Sequence, residues 1–435
     1  MNKRFFCYAG FLTFSLLFFV LIIISASMLN DLILFTCYSV LLVYINPAKD
    51  ALSPINWFVP FNWVYSVTYP VYLWFFGLED EYSYNLVLCS FLAAFSFGLA
   101  TLDFKAEGYL KIPCKHGQFF PASRIAVFFF SVPVLVSLLY AIQLGIGSKR
   151  EFIDMSRVNP VLGLVAFVYP LTFCYTYFFL GASSKFSRLN LGFLFFFVLT
   201  LFCFVFAVTG ERDNIFRILL IVFLVLFSFF RQYKKYYLFL GLFLVLFLLP
   251  VTQLFKGFLV TGIDLSSVNQ LAMREVLFGE FSSSSRNIHT LYTYGWEYQY
   301  GYGIISDILR SIPVIGRSFE SSTYWYNSTY RVENGIGGTS GWGFSLIGQG
   351  LVNFGLIGVF FIFFLVGIIT RYFRQKSLIS RAYLALYLYF LTMVIYSIRA
   401  DLSNVISQGV KNGFISLGLL MVISWFLSKK NRGVS

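Results

Sequence analysis

A few charged side chains stand where so apolar a chain can least accommodate them. Thr209-Gly210-Glu211-Arg212-Asp213-Asn214 sets a guanidinium between two acids, in a tight turn between apolar runs. Arg217 follows five residues on, inside the next run, where it either snorkels to the surface or faces the bundle interior. Lys256 closes another run in Gln253-Leu254-Phe255-Lys256-Gly257, and Ser397-Ile398-Arg399-Ala400-Asp401 turns between the last two. Guanidinium forks fit phosphate oxygens in two-point contact, so Arg212 and Arg399 are candidates for holding an anion. Local pairing with acids such as Asp401, and for Lys256 a membrane anchor, are the structural alternatives. Ser282–Ser285 leads into Arg286-Asn287-Ile288-His289. A histidine titrates near neutrality when unperturbed, so His289 could take a proton from an attacking hydroxyl. Glu297 is the alternative base, and a purely structural histidine is the competing reading.

The elements that must position these groups follow from composition. Of 435 residues, 58% are hydrophobic and 12% are charged, about half the charge of a soluble domain. With a mean hydropathy of +0.77, the soluble and disordered classes are excluded. Runs of about twenty apolar residues are the length that crosses a bilayer as a helix. The near-continuous run Phe193–Val208 lacks the alternation of a membrane β-barrel. Twelve spans are expected, near 5–27, 32–46, 57–77, 84–103, 124–146, 160–181, 189–209, 214–230, 236–255, 344–369, 382–398 and 409–428. The first span is read as retained rather than as a cleaved signal.

Charge orients the bundle, because cytoplasmic loops are rich in Lys and Arg. On this topology one side gathers 19 of the 32 basic residues and three of the 19 acids, net +16. The other side keeps 13 and 16, net −3. Both termini are therefore expected in the cytoplasm. The overall charge of +13 reflects membrane anchoring, and no nucleic-acid partner is expected. The six cysteines fall in spans or on the cytoplasmic side, so no disulfide framework is expected. His116 and His289 lie on opposite faces and no cysteine pair has ligand spacing, so neither metal nor cofactor is expected.

The chain divides into 1–255 with nine spans, an external loop 256–343, and 344–435 with three spans and a cytoplasmic tail. The 88-residue loop is too long to be a mere connection. It holds Tyr292, Tyr294, Trp296, Tyr298, Tyr300 and Tyr302, and also Arg274, Arg286, Arg310, Arg317 and Arg331. Short helices packed over the bundle are expected there, one of them Ile304–Arg310 ahead of Pro313. Aromatic faces suit sugar C–H groups, and their polar tips suit hydroxyls. With arginines beside them, the loop could grip a sugar chain tethered to lipid through phosphate. Interfacial belt residues are the alternative. Gly335–Gly343, then Gly348, Gly350, Gly355 and Gly358, allow close helix approach or a phosphate at a helix start.

On the Thr-Gly-Glu-Arg turn at 209–212, Phe255-Lys256-Gly257, Gly341–Gly358 with Asn353-Phe354-Gly355, and Arg399-Ala400-Asp401, the chain resembles the bacterial O-antigen polymerases, the Wzy-type oligosaccharide repeat-unit polymerases. Some twelve spans and one large external loop before the last three carry the same resemblance. It implies an all-α, GT-C-like, metal-independent glycosyltransferase of the inner membrane with a periplasmic active site. Donor and acceptor would be oligosaccharides on undecaprenyl diphosphate, with a separate chain-length regulator as partner. Arg212, Lys256, Arg286, Arg310 and Arg399 would then hold the diphosphate, and His289 or Glu297 would act as base. An O-antigen ligase and a flippase of the lipid-linked unit are the alternatives.

Overall fold

Backbone away from water must satisfy its own hydrogen bonds, and a helix does so within one segment. The computed structural model describes residues 3–25, 27–46, 52–102, 120–146, 149–182, 188–209, 213–229, 270–312, 315–333 and 343–432. Every regular element among them is helical. In chain order these are α1 (Lys3–Ile24), α2 (Met28–Ile45), α3 (Ile55–Phe75), α4 (Ser83–Thr101), α5 (Phe120–Gln143), α6 (Lys149–Val158), α7 (Pro160–Gly163) and α8 (Val168–Ala182). There follow α9 (Arg188–Thr209), α10 (Asp213–Phe229), α11 (Gln270–Tyr294), α12 (Tyr302–Arg310), α13 (Ser322–Thr329), α14 (Leu346–Ser377), α15 (Arg381–Tyr396), α16 (Leu402–Gln408) and α17 (Ile415–Arg432). A 3₁₀ turn, Leu164–Phe167, joins α7 to α8, and a π turn, Gly409–Phe414, joins α16 to α17.

Eight of the described helical segments are long and apolar enough to cross a membrane. Large apolar side chains such as Phe14, Phe129, Phe193 and Phe426 lie exposed along them, a surface that suits lipid and not water. The chain is thus an all-helical membrane protein. Eleven of the twelve expected spans fall on described helices, and 236–255 lies outside the described residues. Of these eleven, α10 has 17 residues and α15 has 16, short of a full span. The third, α3, has the length, but its tyrosines, tryptophans, asparagines and prolines lower its hydropathy.

The chain falls into two compact units, each drawn from three stretches. The first comprises Met1–Leu110, Leu277–Tyr372 and Met393–Ser407. Here α1 to α4 pack together, with Phe58 on Phe97 at 4.0 Å between ring centres and Tyr38 on Phe91 at 4.5 Å. Trp63 Nε1 donates to Thr36 Oγ1 (2.9 Å), and Asn62 Nδ2 donates to the Ser90 carbonyl (3.0 Å), locking α3 to α2 and α4. The second comprises Lys111–Val276, Phe373–Thr392 and Gln408–Ser435. Its centre is α5 on α8, with Phe120 stacked on Phe178. Amphipathic α6 lays Phe152 onto Ala141 and Leu162.

Two features depart from the sequence expectation. The loop 256–343 carries a 25-residue helix, α11, besides short ones. The tenth span does not run straight, because α14 breaks at Phe354 (φ −144°, ψ 22°) and Gly355 (φ 65°, ψ −150°). A Cβ on Gly350 would lie 2.7 Å from the Val359 nitrogen, and one on Gly358 would strike the Gly350 carbonyl. The eight-residue piece 346–353 therefore folds back onto the following helix, glycine against glycine. Only glycine adopts the Gly355 backbone angles without strain.

Candidate functional site

The first unit is organised around α11. Its sequence from Phe281 to Tyr294 interleaves apolar and small polar residues, so each face meets a different neighbour. Phe281, Ile288 and Leu291 are buried. Ser285 Oγ donates to the Tyr65 carbonyl of α3 (2.9 Å). Ser284 Oγ donates to the Ile398 carbonyl (2.7 Å), and Asn287 Nδ2 donates to the Gly343 carbonyl (2.6 Å). These two bonds bring the start of α14 and the turn carrying Arg399 onto the same helix. Gly343 is required there, since any side chain would strike the Arg399 carbonyl.

A further face of α11 presents Arg286 and His289, which lie three residues apart and so are neighbours on the helix surface. His289 Nε2 lies 2.7 Å from Asp80 Oδ2. Asp80 comes from the turn between α3 and α4, where its Oδ1 accepts from Ser83 Oγ (2.8 Å) and the Tyr82 nitrogen (3.2 Å). Partial burial works against the carboxylate, but the Ser83 bond, the His289 partner and the Tyr82 bond outweigh it, holding Asp80 below the usual carboxylate range. The Tyr69 ring meets the imidazole edge to face at 5.5 Å and stacks on Tyr72, and Arg286 lies within electrostatic reach of the Tyr69 hydroxyl. The arrangement offers an imidazole fixed by a carboxylate, with Nδ1 left near Thr293 Oγ1 (3.5 Å).

One helical turn beyond His289 begins a train of aromatic rings. Tyr292 meets Trp296 at 5.2 Å, Trp296 meets Tyr298 at 6.0 Å, and Tyr298 meets Tyr300 at 6.0 Å. Trp296 Nε1 is buried without a hydrogen-bond partner. Tyr300 has a left-handed backbone (φ 47°) and is 78% exposed. This segment is bolted to the break in α14: the Gln299 nitrogen donates to the Val352 carbonyl (3.1 Å), and the Gly301 nitrogen donates to Asn353 Oδ1 (3.1 Å).

Beneath it lies a buried junction of two carboxylates. Asp307 of α12 accepts from the Ser322 nitrogen and Ser322 Oγ (3.0 Å each) and from Gln349 Nε2 (2.6 Å). Gln349 Oε1 accepts from the Leu402 nitrogen (2.8 Å), and Asp401 Oδ2 accepts from the Thr323 nitrogen (2.9 Å). Asp401 Oδ1 also accepts from Asn404, capping α16. Both acids thus bind the start of α13, where unpaired N–H groups favour negative charge. Burial, and the nearby Asp401, push the Asp307 carboxyl up to about 7.

Of the residues singled out from sequence, Arg286 and His289 come together, and Arg399 reaches the same helix through its turn. Arg399 sits 5.7 Å over the Tyr396 ring, two residues from the Asp401 cap. Arg310 is turned to a structural task, donating to the Phe319 carbonyl (2.6 Å) at the end of α12. Glu297 is exposed, and among the described residues it makes no hydrogen bond or ion pair. Arg212 and Lys256 lie outside the described residues. Sequence reading missed Asp80, Tyr69, Asp307 and Gln349. Glu79-Asp80-Glu81 is visible as an acidic turn, but nothing in it names a partner 209 positions away.

Fold and site define the class: an all-helical membrane protein with a carboxylate-held histidine beside arginine and tyrosine. No protein-family model matches the chain, and no curated protein or solved structure does so.

Proposed function

We propose that the chain is an O-antigen polymerase, a glycosyltransferase of the bacterial inner membrane that joins lipid-linked oligosaccharides on the periplasmic face. The observation that carries the reading is His289 fixed by Asp80, with Arg286 a turn away and the aromatic train beginning at Tyr292. In this reading the bundle has twelve spans in a GT-C-like arrangement, and both termini are cytoplasmic. The acceptor hydroxyl loses its proton to His289 as its oxygen attacks the donor's anomeric carbon. The bond from that carbon to the diphosphate breaks, and undecaprenyl diphosphate leaves with the electron pair. Negative charge grows on the leaving group, so preplaced cations there lower the barrier. Arg286 and Arg399 take this part, with Arg212 and Lys256 as further candidates. Arg310, committed to the Phe319 carbonyl, is the weakest of the set. Glu297 remains the alternative base.

The test is a gel of surface glycan from cells lacking the gene, with and without the gene restored. A polymerase predicts a ladder that collapses to a single rung and returns on complementation. Core with no rung at all would indicate a ligase or a flippase, and an unaltered ladder would exclude all three.

A further inference from the structure

The second unit holds a polar cluster that glycosyl transfer does not use. Arg217 of α10 is 2% exposed, so it faces the bundle interior instead of snorkelling outward. It lies close to the hydroxyl of Tyr389 on α15, which Asn412 of the π turn also approaches. One turn before it, Asn214 is 1% exposed, and neither its amide nitrogen nor its oxygen has a hydrogen-bond partner. Tyr175 on α8, which packs against both α10 and the π turn, has an unpartnered buried hydroxyl, and Gln408 Oε1 is likewise unpartnered. Buried polar groups are normally satisfied, and unpaired ones in an apolar bundle are costly. A charge within a span usually serves a ligand or pathway, and π turns cluster at functional sites.

We infer that Arg217, Asn214, Tyr389 and Asn412 form a site for an oxyanion, a phosphate ester carried on a lipid. The groups supply donors, and a guanidinium selects phosphate oxygens. The approach is from the bilayer: Asn412 is half-buried between the exposed Val410 and Phe414, and a side chain on neighbouring Gly409 would meet open space. The Asn214 amide nitrogen then finds its acceptor in a phosphate oxygen.

The test uses the purified, delipidated full-length protein. It is titrated separately with phosphatidylglycerol, diacylglycerol and inorganic phosphate, and read by native mass spectrometry and thermal midpoint. One phosphatidylglycerol should bind per chain and raise the midpoint, and diacylglycerol should not. Asn214→Leu should weaken that binding about tenfold, since a hydrogen bond to a charged group is lost. Arg217→Met should abolish it; if that variant fails to fold, Asn214→Leu alone decides. Equal binding by Asn214→Leu, or by diacylglycerol, overturns the site. Equal protection by inorganic phosphate overturns the lipid as its source. None of these readouts depends on glycosyl transfer.

Discussion

Asp80 Oδ2 and His289 Nε2 stand 2.7 Å apart and tie the turn after α3 to the middle of α11. With Nε2 engaged by the carboxylate, the imidazole is held in one orientation and its other nitrogen is the available base. Under the proposed function, His289→Gln should lower chain extension by about 10² or more, the usual scale of general-base catalysis. Asp80→Asn should cost less, since the base survives but loses its orientation. In vitro extension of lipid-linked repeat units measures both, and normal activity in His289→Gln would remove it as the base.

The same pair bears on acid stability. The Asp80 carboxyl is held below its ordinary value in the fold, so its contribution is present above the unfolded pKa and is lost as pH falls through the folded one. Acidification below about pH 4 should weaken the hold on His289. In Asp80→Asn this acid-side loss should shrink, as thermal midpoints at graded pH would show.

Asp307 has the opposite sign. Its carboxyl is raised to about 7, so the folded state binds the proton more tightly than the unfolded chain. Its contribution to stability is then greatest at low pH and declines as pH rises from the ordinary carboxylate value through about 7. Between pH 5 and pH 8 the thermal midpoint should fall in the wild type. In Asp307→Asn the slope over that range should flatten, at the cost of a lower midpoint where one donor of Ser322 or Gln349 is left unpaired.

The break in α14 depends on glycine in two ways. Gly355→Ala puts a side chain on a backbone at φ 65°, ψ −150°, a strain of about 1–3 kcal/mol. Gly350→Leu forces a side chain against the backbone of Val359, an overpacking cost of roughly 1–3 kcal/mol or more. Both variants should lower the thermal midpoint, and Gly192→Ala, where a side chain meets nothing, should not.

Tyr300 combines strain with exposure, which is characteristic of a residue kept for function. Tyr300→Gly should relieve the left-handed strain, stabilising the protein by about 1 kcal/mol. Under the proposed function it should also weaken the hold on saccharide and shorten the glycan ladder. A longer or unchanged ladder would assign Tyr300 to the membrane interface.

What the residues settle alone is local. A helix closes its hydrogen bonds within a few positions, so Phe193–Val208 or Leu86–Ala100 need only their own apolar character to become helical. The aromatic run of the loop, the turn at Arg399 and the glycines from Gly348 to Gly358 are likewise visible, because each is a short contiguous pattern. Rotation and pairing are not local. Whether Arg217 snorkels or turns inward depends on which neighbours α10 meets, and the fold turns it inward. The bonds from Asp80 to His289, from Gln349 to both Asp307 and Leu402, and from Ser284 to Ile398 join segments with no common periodicity. Uniformly apolar helices have no preferred face to announce in advance. Only packing, which hides some small polar side chains and leaves others at the lipid, decides which of them meet.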